Sequence, residues 1–170
     1  MSKVAKIKLL SDKAVMPKRA TSKSSGFDVT AIDVESEYKP FNVFAYIESR
    51  ETEGLYELDE GDDHMIKIYK HIFKTGLSIQ PPEGYDIKLF PRSSVHKKYA
   101  WLANGVGLGD EDYTGEYMFV FYSFSEEPPF EIGDRIGQIV FEKREDIELV
   151  KVSELESTER GNGGFGSTGK

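Results

Sequence analysis

Four short clusters carry residue types that can do chemistry on an anionic, ring-bearing ligand. In Pro91-Arg92-Ser93-Ser94 an arginine is followed by two hydroxyls, where a strand pattern gives way to a short helical one. A guanidinium beside hydroxyls and free amides suits phosphate oxygens, and the same four residues equally suit a serine cap with a surface arginine. In the twelve residues Asn104 to Gly115, four glycines surround Asp110. Glycines let a hairpin main chain approach a flat base, and Asp110 could act as a general base if held near a water and an electrophilic phosphorus; taken alone, the stretch reads more simply as a Gly-Asp turn between strands. Glu111 and Asp112 read either as part of this site or as solvated turn acids. Gly133 to Gln138 is a turn feeding an apolar strand that carries Gln138, whose amide must be satisfied by substrate or by neighbouring backbone. The last eleven residues, RGNGGFGSTGK, hold five glycines that prevent a packed element, together with Arg160, Phe165, Ser167 and Thr168. They read as a disordered terminus or as a flexible closing segment.

The elements that must position these clusters are mostly strands. Ile7 and Leu9 share one face of Lys6 to Leu9; Ile66, Ile68 and Ile72 alternate against Lys67, Tyr69 and His71; Tyr85, Ile87 and Leu89 alternate against Asp86 and Lys88. Tyr117 to Phe124 is apolar on both faces and is expected to lie between layers, and Arg135 to Phe141 resembles another central strand. Pro81 to Gly84, Asn104-Gly105, Thr114-Gly115, Pro128-Pro129 and Ile132 to Asp134 supply the turns. Many short strands so punctuated predict an all-β sandwich or barrel. One short helix is expected over Val95 to Tyr99, capped by Ser93 or Ser94.

Composition narrows the chemistry. With 170 residues, 38% of them hydrophobic, one core is expected, over residues 1–155, with 156–170 as a C-terminal arm. No segment reads as a membrane span or a signal peptide, so a cytoplasmic protein is expected. There is no cysteine, and His64, His71 and His96 lack ligand spacing, so any metal is expected to be a hard cation held by oxygen. Eight acids between Glu48 and Asp63, against Arg50, account for nearly all of the net charge of −8. That charge argues against nucleic-acid binding, while the rest of the chain keeps basic sites for a small anion. The acidic stretch, about 46–63, breaks the strand pattern and is expected to be a surface insert, away from any phosphate path.

Taken in order, the clusters resemble the five motifs of the trimeric deoxyuridine triphosphatase (dUTPase) family: Ser25 to Val29, Pro91 to Ser94, Gly107 to Gly115, Gly133 to Gln138, and Arg160 to Gly169. The resemblance covers nearly the whole chain outside the acidic insert. It implies a jelly-roll-like distorted β-barrel, assembled as a homotrimer whose three sites lie at subunit interfaces, each closed by an exchanged C-terminal arm. It implies hydrolysis of dUTP to dUMP and pyrophosphate, with Asp110 activating the attacking water and Mg2+ carried mainly by the phosphates. Asp28 would assist the metal through water or by holding local structure. Arg92, Ser93, Ser94 and Gln138 would grip phosphates, and Tyr113 would pack on the deoxyribose. Asn104, Gly107, Leu108, Gly109 and Met118 would line the uracil pocket. From the arm, Phe165 would stack on uracil while Arg160, Gly166, Ser167 and Thr168 close over the phosphates.

Three positions depart from the family pattern: Phe27 stands where tyrosine is usual, Ser94 where glycine is common, and Gly109 where a branched apolar residue normally precedes the aspartate. The last is expected to loosen Asp110. Two rival readings follow. A dCTP deaminase of the same fold would need a glutamate near position 120, which is Val120 here. A dUTP-sensing module would use the acidic insert to engage a protein partner, and the insert could instead bind cations.

Overall fold

Strand propensity and alternation dominate the described chain. A computed structural model describes residues 3–42 and 65–164. Among them are ten strands: β1 (Lys6–Leu9), β2 (Phe27–Thr30), β3 (Asp33–Asn42), β4 (Met65–Lys74), β5 (Leu77–Gln80), β6 (Tyr85–Pro91), β7 (Ala100–Leu102), β8 (Gly107–Gly109), β9 (Met118–Ser123) and β10 (Arg135–Lys143). One six-residue 3₁₀ helix, Ser93–Lys98, lies between β6 and β7. The strands form a β1-β5 pair and two four-stranded sheets, ordered β2-β10-β6-β8 and β3-β4-β9-β7. Every pairing is antiparallel.

Side chains from all three sheets share one core. Val29, Ile87, Leu89, Ile136 and Ile139 come from one four-stranded sheet, Phe73, Phe119 and Phe121 from the other, and Leu77 and Ile79 from β5. The two large sheets meet where the Phe119 ring lies over Gly137: a methyl group on that Cα would sit 2.1 Å from the ring. Glycine is required there because the ring occupies the space of a side chain.

Two strand expectations are corrected. On β4 the inward face is Phe73 and His71, while Ile72 is only half-buried. His71 can face the core because both ring nitrogens are satisfied, Nδ1 by Ser36 Oγ at 2.8 Å and Nε2 by Ser123 Oγ at 2.9 Å. Burial lowers its pKa from the ordinary 6.5, and the Ser125 carbonyl opposes that shift. On β9 only one face is buried, that of Phe119, Phe121 and Ser123; on the other, Val120 and Tyr122 are half-buried, and Met118 and the following Phe124 are exposed. The predicted serine cap is also absent. Arg92 occupies the cap position in extended conformation without a side-chain capping bond.

The acidic stretch at 46–63 lies outside the described residues. Its flanks are fixed by the β3-β4 hairpin, which runs in unbroken register from Asp33↔Lys74 to Asn42↔Met65. Those nine steps span about 30 Å, so the chain leaves and re-enters at the end of the hairpin remote from Asp33 and Lys74.

Candidate active site

β10 brings three of the sequence clusters together. Its Gln138 pairs with Asp28 on β2 and with Phe90 on β6, and Gly137 pairs with Pro91, beside which Arg92 emerges. Asp28, nearly buried, is the hub. Its Oδ2 accepts a hydrogen bond from Arg135 Nη1 at 2.9 Å, its Oδ1 accepts one from Gln138 Nε2 at 2.9 Å, and Arg92 Nε lies 3.5 Å from Oδ1. Gln138 is therefore satisfied by a carboxylate, where substrate or backbone had been the two expectations. One buried negative charge between two guanidiniums leaves a local excess of positive charge, suited to a polyanion. Ser93 and Ser94 follow Arg92 at the start of the 3₁₀ helix.

Asp110 stands at the other end of the same strand. The glycines of 104–115 allow either a hairpin or a turn between strands, and no hairpin forms: β7 pairs with β9, whereas β8 crosses to the other sheet and pairs with β6 through Gly107↔Leu89, Leu108↔Lys88 and Gly109↔Ile87. Both flanking strands belong to the opposite sheet, so β8 has no sequential neighbour with which to pair. Asp110 thus sits one residue past the Ile87 pair, while Arg92 lies five residues beyond Ile87 in the opposite direction. At about 3.3 Å per residue the two groups are separated by more than about 17 Å along β6.

Asp110 borders an open cleft of about 820 Å³ lined also by Lys6, Glu111, Asp112 and Arg144. Glu111, read from sequence as a site member or a solvated acid, is a fastener. Its Oε2 accepts from the Gly84 amide at 3.0 Å and lies 3.1 Å from Arg144 Nη2. The Tyr113 amide donates to the Asp110 carbonyl at 3.2 Å, closing the turn that carries the aspartate. Leu108, Tyr113 and Met118 are exposed, as is Asn104 in the β7-β8 turn, whereas Gly107 and Gly109 are buried. Met118 pairs with Lys74, and Val120 with Ile72.

Tyr117 escaped sequence reasoning because it opens an aromatic run and read as ordinary core. It is 4% exposed, and its ring fills the space beside Gly109, where a methyl group would lie 2.5 Å from the ring and from the hydroxyl oxygen. The signal that could have found it was the missing side chain at 109, which some other residue has to replace in a close-packed interior.

After β10 the chain runs without regular structure from Arg144, exposing Ile147, Leu149, Val150, Val152 and Leu155, with Leu149 93% accessible. Arg160 begins the glycine-rich arm in a turn, its Nε donating to the Gly163 carbonyl at 2.9 Å. Phe165, Gly166, Ser167 and Thr168 lie outside the described residues.

No protein-held metal fits the described residues. Among them no group of three or more histidine, cysteine or carboxylate side chains could hold an ion, and both Asp28 oxygens are engaged by cationic or amide donors. Among them, too, no helix is long and apolar enough to cross a membrane.

A family model described as dUTPase matches residues 47–169. The chain is also 35% identical over 171 residues to the deoxyuridine 5'-triphosphate nucleotidohydrolase of Fusobacterium nucleatum subsp. nucleatum, covering 99% of both chains. The chain belongs to the dUTPase family. A plant relative agrees: the deoxyuridine 5'-triphosphate nucleotidohydrolase of Arabidopsis thaliana is 34% identical over 166 residues, covering 96% of this chain and 82% of that one. The dUTPase fold is shared with the Staphylococcus bacteriophage 80alpha dUTPase solved with dUpNHpp, at a TM-score of 0.68 and 25% identity over 98% of this chain and 99% of that one.

Proposed function

We propose that this dUTPase-family chain hydrolyses dUTP to dUMP and pyrophosphate at sites shared between the copies of a homotrimer. The observation that carries the reading is the separation of Asp110 from the Asp28-Arg92-Arg135-Gln138 cluster by most of the length of β6. Neither end is a complete site for a nucleoside triphosphate, and a neighbouring copy that presents its Asp110 to the first copy's phosphate cluster completes one. The exposed apolar side chains of 147–155 support the same assembly, since such a segment buries its side chains by docking on another copy.

In the assembled site Arg92, Ser93, Ser94 and Gln138 hold the triphosphate, with Asp28 fixing Arg92 and Gln138 from behind. Asn104, Gly107, Leu108, Gly109 and Met118 receive uracil, and Tyr113 covers the sugar where a 2'-hydroxyl would stand, rejecting UTP by shape. Asp110 takes a proton from a water as its oxygen attacks the α-phosphorus. The bond from that phosphorus to the bridging oxygen of the β-phosphate breaks, and pyrophosphate leaves. Charge developing on the phosphoryl oxygens meets donors already fixed by Asp28. Mg2+ would be carried by the phosphates of the substrate and would supply charge neutralisation there, while Asp28 holds Arg92 and Gln138 in place beside them. Residues 1–155 form the single β domain, and 156–170 is the arm that closes a neighbouring site: Phe165 stacks on uracil while Arg160, Gly166, Ser167 and Thr168 reach the phosphates. A soluble cytoplasmic enzyme is consistent with this nucleotide chemistry.

Pyrophosphate release measured in parallel with dUTP, UTP, dCTP and dTTP tests the reading. Turnover of dUTP well above the other three is expected. Equal turnover of UTP or dTTP would remove the pocket assignment, and ammonia release from dCTP would transfer the chain to deaminase chemistry.

A further inference from the structure

We propose that Tyr117 is a positioning residue for Asp110, its ring standing in for the side chain that position 109 lacks. The inference rests on the proposed role of Asp110 and concerns how this chain holds that residue in place.

Tyr117 is anchored by its backbone on the side away from β8. Its amide donates to the Leu77 carbonyl at 2.8 Å, and its carbonyl accepts from the Thr75 hydroxyl. The preceding residue, Glu116, is tied to the same β4-β5 turn, its Oε1 accepting from the amides of Thr75 at 3.1 Å and Gly76 at 2.7 Å. The ring therefore projects from a backbone with little freedom to shift. It touches both flanks of the turn that carries Asp110. On one side it lies against Gly109, closer than any side chain at that position would permit. On the other it meets the Tyr113 ring edge-to-face, with centroids 5.2 Å apart and planes at 86°.

Without this ring, β8 would end in a glycine with an empty space beneath it, and the next residue is Asp110. A cavity at that point frees the backbone to move, and misplacing a general base by about 1 Å can cost roughly a hundredfold in rate. The departure at Gly109 thus does not leave Asp110 loose in this fold, because the volume is restored from β9's leading end. The Tyr117 hydroxyl is buried without a hydrogen-bond partner among the described residues. Burial first, then Tyr113 and Asp110, pushes its pKa up to about 12, so it stays neutral at working pH and adds no charge beside the aspartate.

The test is a second-site cycle on the full-length protein: Y117V, G109V, the double variant G109V/Y117V, and Y117F. Turnover of dUTP is normalised to sites titrated with dUpNHpp, and melting temperature is followed in parallel. Each valine single variant is expected to lose roughly ten- to a hundredfold in kcat, and Y117V, which lies outside the uracil pocket, keeps KM within about threefold. The double variant, in which a branched side chain at 109 refills the space, recovers most of that loss, and Y117F, which keeps the ring, stays closer to wild type than Y117V. G109V probes the contact from the other side should Y117V fail to fold. Wild-type kcat in Y117V, or a double variant no better than its worse parent, overturns the proposal. An inactive wild type would instead sink the assignment of dUTP hydrolysis.

Discussion

Gln138 Nε2 donates a 2.9 Å hydrogen bond to Asp28 Oδ1 across the β2-β10 pair, while Arg135 Nη1 holds the other oxygen at the same distance. The carboxylate thereby fixes an amide and a guanidinium that would otherwise sample several rotamers. Asp28→Ala leaves Gln138 without its acceptor and Arg92 without its anchor. It is expected to cost about 2 kcal/mol of stability, discounted because Arg135 is half-exposed, and to raise KM for dUTP severalfold. Urea titration and steady-state kinetics read the two effects separately.

Asp110→Asn removes the proton acceptor and keeps the shape. Turnover should fall roughly 10²- to 10⁴-fold with affinity for dUpNHpp nearly unchanged. Calorimetry with the analogue beside a pyrophosphate assay distinguishes a lost base from a lost pocket; undiminished turnover would remove Asp110 from its role.

Deleting Arg160 to Lys170 leaves 144–159 in place and takes away only the closing segment. Activity should disappear while light scattering still reports a trimer. Full activity in the truncated protein, or a monomeric mass for the intact one, contradicts the assembly proposed.

His71 predicts an acid-labile fold. Its folded pKa lies below the ordinary value of 6.5 because burial disfavours the charged ring. Below about pH 6.5 the unfolded chain takes up a proton that the folded chain refuses, so stability is constant at neutral pH and declines as pH falls through that value toward the folded pKa. Urea midpoints between pH 5 and 8 show this decline, and His71→Gln flattens it. A midpoint indifferent to pH in the wild type would mean that His71 has the same pKa in the folded and unfolded states.

Much of the candidate site was legible because its residue types are chemically unusual for their surroundings. An arginine with paired hydroxyls, a glutamine in an apolar strand and a glycine-framed aspartate stand out without coordinates. The faces of β4 and β9 were not legible. Isoleucine, phenylalanine and tyrosine all suit either face of a strand, and His71 passes as an outward residue until Ser36 and Ser123 are brought to its two nitrogens. Glu111 likewise looks like any turn acid until Gly84 and Arg144 converge on it.

By itself the sequence determined the all-β class, the order of the clusters and the family to which they belong, since these depend on local propensity and on side-chain chemistry that adjacent residues already express. Tertiary structure alone decided that Asp28 binds Arg135 and Gln138, that Asp110 and Arg92 stand at opposite ends of β6, and that Tyr117 fills the space beside Gly109. Each of those relations joins residues distant in the chain or sets a distance by strand register, and register is chosen by packing of the whole core.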